Sequence, residues 1–254
     1  MSPANEAPLS EPQACTFRSD FDGSPQTYLL ALPPGEPAGL LMYLHGATNQ
    51  QEQGMTPRIY GDSFGFVRRW VAQRGWAYAC PEYRGDSWMN AAAESDVAQL
   101  LDALADQTGV RKSMLMGGSM GGTAALILAS RRRGNLLGVL ALCPATDMTL
   151  MHQVDFLRPG IELAYGGTPA QQPAVYHERS SINHAAQLAR LPLCLAHGSA
   201  DPLIDVGHSR RLAKAVTALG AKVHLAEVPG GDHDSPIGPR IIGDGLEWLA
   251  GAAS

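Results

Sequence analysis

The sequence predicts an α/β fold: a mostly parallel central sheet flanked by helices on both faces, with a short helical insertion. Three observations carry that prediction. Short apolar runs alternate with helix-length segments. Most of those runs are apolar throughout rather than at every second residue. One run ends in a glycine-crowded turn that opens directly onto another apolar segment. Strands covered on both faces read as continuous apolar runs, and regular alternation with helices gives parallel strands joined by crossovers.

Taken in order, the first strand is predicted at Tyr28–Leu32 and the second at Leu40–Leu44, all five of whose residues are apolar. A helix over Ser63–Arg74 leads to a strand over Ala77–Cys80. Ala91–Asp106 is helical because Val97, Leu100, Leu101 and Leu104 recur at a spacing near 3.6, which makes one apolar face. Ser113–Met116 is a strand and Met120–Arg132 a helix, whose terminal Arg131-Arg132-Arg133 suits the negative end of a helix dipole. After a strand at Leu137–Leu142, the stretch from Pro144 to Arg190 turns irregular and rich in Pro, Gly, Gln and His. It is too long for a simple loop and too short for a separate domain, so residues 144–190 are read as a small helical insertion near the site. Strands at Leu193–Ala196 and Val223–Val228 then alternate with helices at Val206–Leu219 and Pro239–Ala250. Residues 1–254 are read as one domain, a length that suits a single α/β core.

Composition narrows the function. The net charge is −5, and the single basic run belongs to a helix end, so no nucleic-acid partner is expected. Cys15, Cys80, Cys143 and Cys194 lie far apart without a CxxC, which reads as reduced, mostly buried thiols and not as a metal site. Residues 1–14 lack the apolar core of a signal peptide and no 18-residue apolar run exists, which predicts a cytoplasmic protein without a membrane partner. There is no phosphate-cradling or dinucleotide glycine motif and no H-E-x-x-H, so neither cofactor nor metal is expected. The oligomeric state stays open.

Ligands of such sheets bind beyond the carboxyl ends of the strands, so the residues just after each strand are the candidates. After Ser113–Met116 comes Gly117-Gly118-Ser119-Met120-Gly121, a G-x-S-x-G pattern. A serine on a sharp strand-to-helix turn tolerates only small neighbours, and that turn lifts its hydroxyl clear of the sheet. Such a hydroxyl needs a base, and the base an orienting acid. Asp201 lies directly after Leu193–Ala196 and is favoured over Asp205, which reads as a cap of the next helix. His233 lies in the loop after Val223–Val228, whereas His224 falls inside that strand. His152, His177, His184 and His208 fall in the insertion or on a helix and read mostly as surface residues. The order Ser119, Asp201, His233 is the one expected for a turn-borne serine. Ala47, in His45-Gly46-Ala47-Thr48, and Met120 supply the backbone N–H groups for an oxyanion hole, with His45 bracing the loop. Tyr83, Arg84 and Trp88 follow the strand ending at Cys80 and are candidate substrate contacts: Trp88 for a pocket wall, Arg84 for a carboxylate. The alternative is that Arg84 pairs with a structural acid and Trp88 covers the helix behind it. Cys143 and Asp147 are candidates for lining only.

The segments YLHGAT, PEYRGDSW, GGSMGG, YGGTP, HGSADPLI and PGGDHD resemble the α/β-hydrolase superfamily. The likeness is to its prolyl-oligopeptidase (S9) and dienelactone-hydrolase-like branch, which includes many small esterases. The resemblance implies Ser119 as nucleophile, Asp201 as acid, His233 as base, Ala47 and Met120 as oxyanion donors, and no cofactor. Two departures stand out: nothing here corresponds to the large propeller domain of true oligopeptidases, and the base sits in Asp232-His233-Asp234 rather than before a glycine. The expected activity is a carboxylesterase cleaving small or medium esters through an acyl-enzyme. The alternatives are a peptidase acting on short or acylated peptides, another reaction of the same triad such as perhydrolysis or thioester or lactone cleavage, and a non-catalytic binding protein on a hydrolase fold.

Overall fold

The structure is a computed structural model and describes residues 8–56, 60, 62–132, 134 and 136–252. Strands β1 (Gln13–Arg18) and β2 (Pro25–Ala31) form an antiparallel hairpin. They are followed by β3 (Leu40–Leu44), α1 (Ser63–Gln73), β4 (Ala77–Pro81), α2 (Ala91–Thr108), β5 (Ser113–Gly118), α3 (Met120–Arg131) and β6 (Leu136–Leu142). The segment after β6 folds as four short helices: α4 (Met148–Met151), α5 (Arg158–Tyr165), α6 (Pro173–Arg179) and α7 (Ala185–Leu188). The chain closes with β7 (Leu193–Gly198), α8 (Gly207–Thr217), β8 (Val223–Val228) and α9 (Pro239–Ala252).

The sheet order is β1-β2-β4-β3-β5-β6-β7-β8, antiparallel at β1-β2 and β2-β4 and parallel from β4 through β8. The expected strands and helices all form, with ends displaced by a few residues. One strand lies outside the expectation, and its chemistry explains why. β1 is an edge strand with alternately exposed residues, whose inward side chains are only Cys15 and Phe17. Phe17 meets Tyr28 edge-on, at 6.1 Å between ring centroids.

Successive side chains of a strand point to opposite faces, and the core divides accordingly. Leu40, Met42 and Leu44 of β3 pack with Val97, Leu100 and Leu104 of α2 and with the apolar residues of α3. Leu41 and Tyr43 face the other way, toward Phe64, Val67 and Trp70 of α1 and Ile242, Leu246 and Leu249 of α9. Each fully buried side chain of this size contributes about 1.5–3 kcal/mol. Helix α3 runs through the centre of the molecule, with every residue from Met120 to Ser130 buried.

The insertion is fastened to that scaffold. Tyr165 Oη donates to Trp88 O at 2.9 Å and its ring meets Tyr176 at 88°. Arg179 of α6 pairs with Glu94 of α2, and Arg131 of α3 reaches Glu178 at 2.6 Å. Among the described residues no helix is long and apolar enough to cross a membrane.

Candidate active site

The turn between β5 and α3 is possible only because its neighbours are glycines. A Cβ on Gly121 would lie 1.9 Å from Leu44 O, and one on Gly117 would lie 2.3 Å from the Gly121 carbonyl. With α3 seated this close to β3, the residue between strand and helix has to bend sharply. Ser119 does so at φ 56°, ψ −122°, a conformation that costs a non-glycine residue about 1–3 kcal/mol. The turn is pinned from three sides. Ser119 N–H donates to Leu142 O at 2.9 Å, while Thr123 N–H and Thr123 Oγ1 both donate to Ser119 O, at 3.0 and 3.1 Å.

The loop after β7 supplies a fixed carboxylate. Asp201 Oδ1 accepts from Leu203 N–H and Ile204 N–H at 2.8 and 2.9 Å, and Oδ2 accepts from His233 Nδ1–H at 2.7 Å. Burial alone would raise the Asp201 carboxyl. Hydrogen bonds from His197, His233 and Ile204 outweigh it and hold the group well below the usual carboxylate range. For His233 burial works against the charged form, but the bond to Asp201, with the Cys143 sulfur beside the ring, raises the imidazole above its ordinary value. His233 Nε2 faces Cys143 Sγ at 3.9 Å.

Ser119 and His233 line one cavity of about 180 Å³, together with Tyr43, Gln53, Phe156 and Leu203. Among the described residues no hydrogen bond links Ser119 Oγ to His233; catalytic bonds of a free enzyme are often long and tighten with substrate. No described acceptor takes Ala47 N–H or Met120 N–H, which leaves two donors beside the serine. The Ala47 loop is held around them. Thr48 N–H donates to Asp86 Oδ1 at 2.6 Å, His45 Nε2–H donates to Glu82 O at 2.7 Å, and Gly46 N–H donates to Gln53 Oε1 at 2.7 Å.

The three proposed substrate contacts lie elsewhere. Tyr83 is buried and its Oη donates to His45 O at 2.5 Å, at the start of the Ala47 loop. Arg84 Nε donates to Asp96 Oδ2 at 2.6 Å and Nη1 to Asp22 Oδ2 at 2.7 Å, so the guanidinium ties the β1-β2 hairpin to α2. Trp88 is 1% exposed and sits under α5, where its carbonyl takes the Tyr165 hydroxyl. The structural reading of Arg84 and Trp88 is therefore the one the geometry supports, because distant acids capture the Arg84 guanidinium and the Trp88 ring is buried in the core. His208, expected at the surface, is instead buried against Thr146. Asp205 Oδ1 takes Gly207 N–H at 2.8 Å at the start of α8, and His224 stacks on Trp248. Asp147 caps α4 through Thr149 N–H and Leu150 N–H.

Two participants had no sequence signal of their own, and a third had been marked only for lining. Gln53, on a short turn at Gln51–Gly54, accepts from both Tyr43 Oη and Gly46 N–H. His197 lies 3.3 Å from Asp201 Oδ2. Cys143, at φ 41° beyond β6, was marked for lining and contacts the His233 ring. Cys143, Asp201 and His233 also bring potential ligand atoms within 4.8 Å of one another. A metal there would have to break the Asp201–His233 bond, so the trio is a poor fit for one.

An α/β-hydrolase sheet with a strained serine at the β5-α3 turn, a carboxylate after β7 and an imidazole after β8 defines a serine hydrolase. The chain belongs to the prolyl oligopeptidase family, whose model matches residues 62–246. No curated protein matches the sequence. Among solved structures, an acylaminoacyl peptidase from Pyrococcus horikoshii superposes at a TM-score of 0.75 and 15% identity. That match covers 96% of this chain but 41% of the peptidase, so the chain spans about two fifths of its length. An S-formylglutathione hydrolase from Agrobacterium tumefaciens superposes at 0.74 and 19% identity, covering 97% of this chain and 100% of that one. A fluorophosphonate-binding serine hydrolase, FphF of Staphylococcus aureus, gives 0.73 and 15%, with 95% and 98% covered. At these identities the likeness is one of fold.

Proposed function

We propose that the protein is a carboxylesterase acting on small or medium esters, with Ser119 as nucleophile, His233 as base and Asp201 as the acid that orients it. The observation that carries this reading is the Asp201–His233 bond of 2.7 Å at a cavity that also holds Ser119. His233 takes the Ser119 proton as Oγ attacks the ester carbonyl. The oxyanion rests on Ala47 N–H and Met120 N–H, each donor worth about 3 kcal/mol in the transition state. His233 then returns the proton to the departing alcohol, and water repeats the sequence on the acyl-enzyme.

Two features favour esters over peptides. Among the described residues lining the cavity there is no carboxylate and, apart from His233, no basic side chain, so none of them offers a peptide terminus a charged anchor. The S-formylglutathione hydrolase match, moreover, spans that whole chain. The cavity size suits short acyl groups, and Phe156, Leu157 and Leu203 give it an apolar wall.

A panel of p-nitrophenyl acyl esters and aminoacyl p-nitroanilides tests the proposal. The esters should be cleaved with kcat/KM falling as the acyl chain outgrows the cavity, and the anilides at least about 100-fold more slowly. Faster anilide cleavage would make the protein a peptidase. Absence of Ser119-dependent labelling by a fluorophosphonate would make it a non-catalytic member of the fold.

A further inference from the structure

We propose that His197, near the end of β7, is a positioning residue that holds the Asp201 carboxylate and limits how strongly it polarises His233. The inference rests on Asp201 and His233 serving as acid and base. The His197 ring is fully buried, and its Nε2 lies 3.3 Å from Asp201 Oδ2, the same oxygen that accepts His233 Nδ1–H at 2.7 Å. Nε2 also lies 2.8 Å from Ile204 O. Both neighbours are acceptors, so Nε2 carries a hydrogen whatever the charge of the ring, and it shares that hydrogen between them. Nδ1 lies 2.7 Å from Ser209 Oγ, itself fully buried, which can donate to a neutral ring and so fix the tautomer.

Asp201 thus spends one oxygen on two backbone N–H groups and the other on two imidazoles. A donor shared onto Oδ2 draws electron density from the oxygen that faces His233. Removing it leaves a buried carboxylate short of one donor, and the remaining bond to His233 has to strengthen. A stronger bond favours the imidazolium and raises the His233 pKa. Loss of mere structural support would let Asp201 drift away and lower it. The two roles therefore predict opposite signs.

Among the described residues, the side chains bonded to Asp201 are His233 and His197 alone. Glu227 of β8 is paired with Arg210 at 2.6 Å, and His208 of α8 is held neutral by burial, pushed down to about 4. Cys143 faces the far nitrogen of His233, Asp232 is tied to Ser235, and Asp234 is an acceptor in the same loop.

The test compares full-length wild type, His197→Phe and His197→Gln, following kcat/KM for p-nitrophenyl butyrate from pH 5 to 10. In His197→Phe the acid limb should move up by about 0.5 to 1 pH unit, with turnover falling. Gln places a carboxamide N–H within reach of the same oxygen and should return the limb toward wild type. If His197→Phe does not fold, His197→Asn replaces it, because its shorter amide cannot reach Oδ2. An acid limb that stays put or moves down, or a Gln variant indistinguishable from the donor-less one, overturns the proposal. Should the wild type cleave no ester, the same limb is read from the pH dependence of Ser119 labelling by a fluorophosphonate, which separates failure of this inference from failure of the esterase reading.

Discussion

Mild acid should loosen this fold before its carboxylates protonate, and the cause is one histidine. His208 is 4% exposed, and its Nδ1 accepts Thr146 N–H at 3.1 Å and Asp147 N–H at 3.3 Å. A ring that accepts at Nδ1 must be neutral there. Burial, with Arg211 nearby, pushes its pKa down from 6.5 to about 4. Because the folded value lies below the unfolded one, the contribution is complete above pH 6.5 and fades as the pH falls toward 4. Between pH 7 and 4.5 the loss comes to about 2.5 kcal/mol. Other shifted groups change less in that window. Asp22 and Asp201 are held low and lose their contributions below 3.8, and Glu227, also held low, begins to lose its own near 4.5. Raised His233 gains a smaller contribution between pH 7 and 6.5 that offsets part of the loss. Urea unfolding at the two pH values should show the midpoint falling by roughly 1 M. His208→Asn, whose carbonyl can take the same N–H groups without titrating, should lose much less between the two conditions. Equal losses in wild type and His208→Asn would refute the reasoning.

Other outcomes follow from the same geometry. Ser119→Ala should lower ester turnover by at least about 10⁴-fold and leave the circular dichroism spectrum unchanged, since the bonds that pin the turn use the Ser119 backbone and the side chain lines a cavity. The acid limb of the wild-type kcat/KM profile should lie above pH 6.5, because His233 must be neutral to act as base and is raised from that value. Asp201→Asn removes the main raising partner, so its limb should move down while kcat falls by about 10⁴-fold. Gly121→Ala forces a Cβ to 1.9 Å from Leu44 O and should cost at least about 3 kcal/mol, read by thermal or urea unfolding. Gln53→Leu leaves Gly46 N–H and Tyr43 Oη without their acceptor; stability should fall by about 1–3 kcal/mol, with an added loss of kcat as the Ala47 loop slackens.

The parts of the site that could be read from the sequence are those whose chemistry is local. Gly117-Gly118-Ser119-Met120-Gly121 states its own geometry, because a strand, a strained residue and a helix meet within a few positions. The apolar strands were readable because both faces are covered. β1 was not, since an edge strand needs only two inward side chains. Arg84 misled for a related reason: its position after β4 is a loop position, but the guanidinium is claimed by Asp22, which lies 62 residues away along the chain. His197, Gln53 and Cys143 gain their roles only when separate loops converge, and no spacing within one segment encodes that convergence.

The burial of α3 decides where this enzyme can change. Its whole length from Met120 to Ser130 is enclosed, and its first turn touches β3 backbone, so substitutions near Ser119 disturb the fold along with the site. Phe156, 73% exposed, and Leu203, 37% exposed, stand at the rim of the same cavity on segments outside the sheet. Mutagenesis aimed at new substrate preferences therefore belongs on that rim, where a library can reshape the entrance while Ser119 and its turn stay untouched.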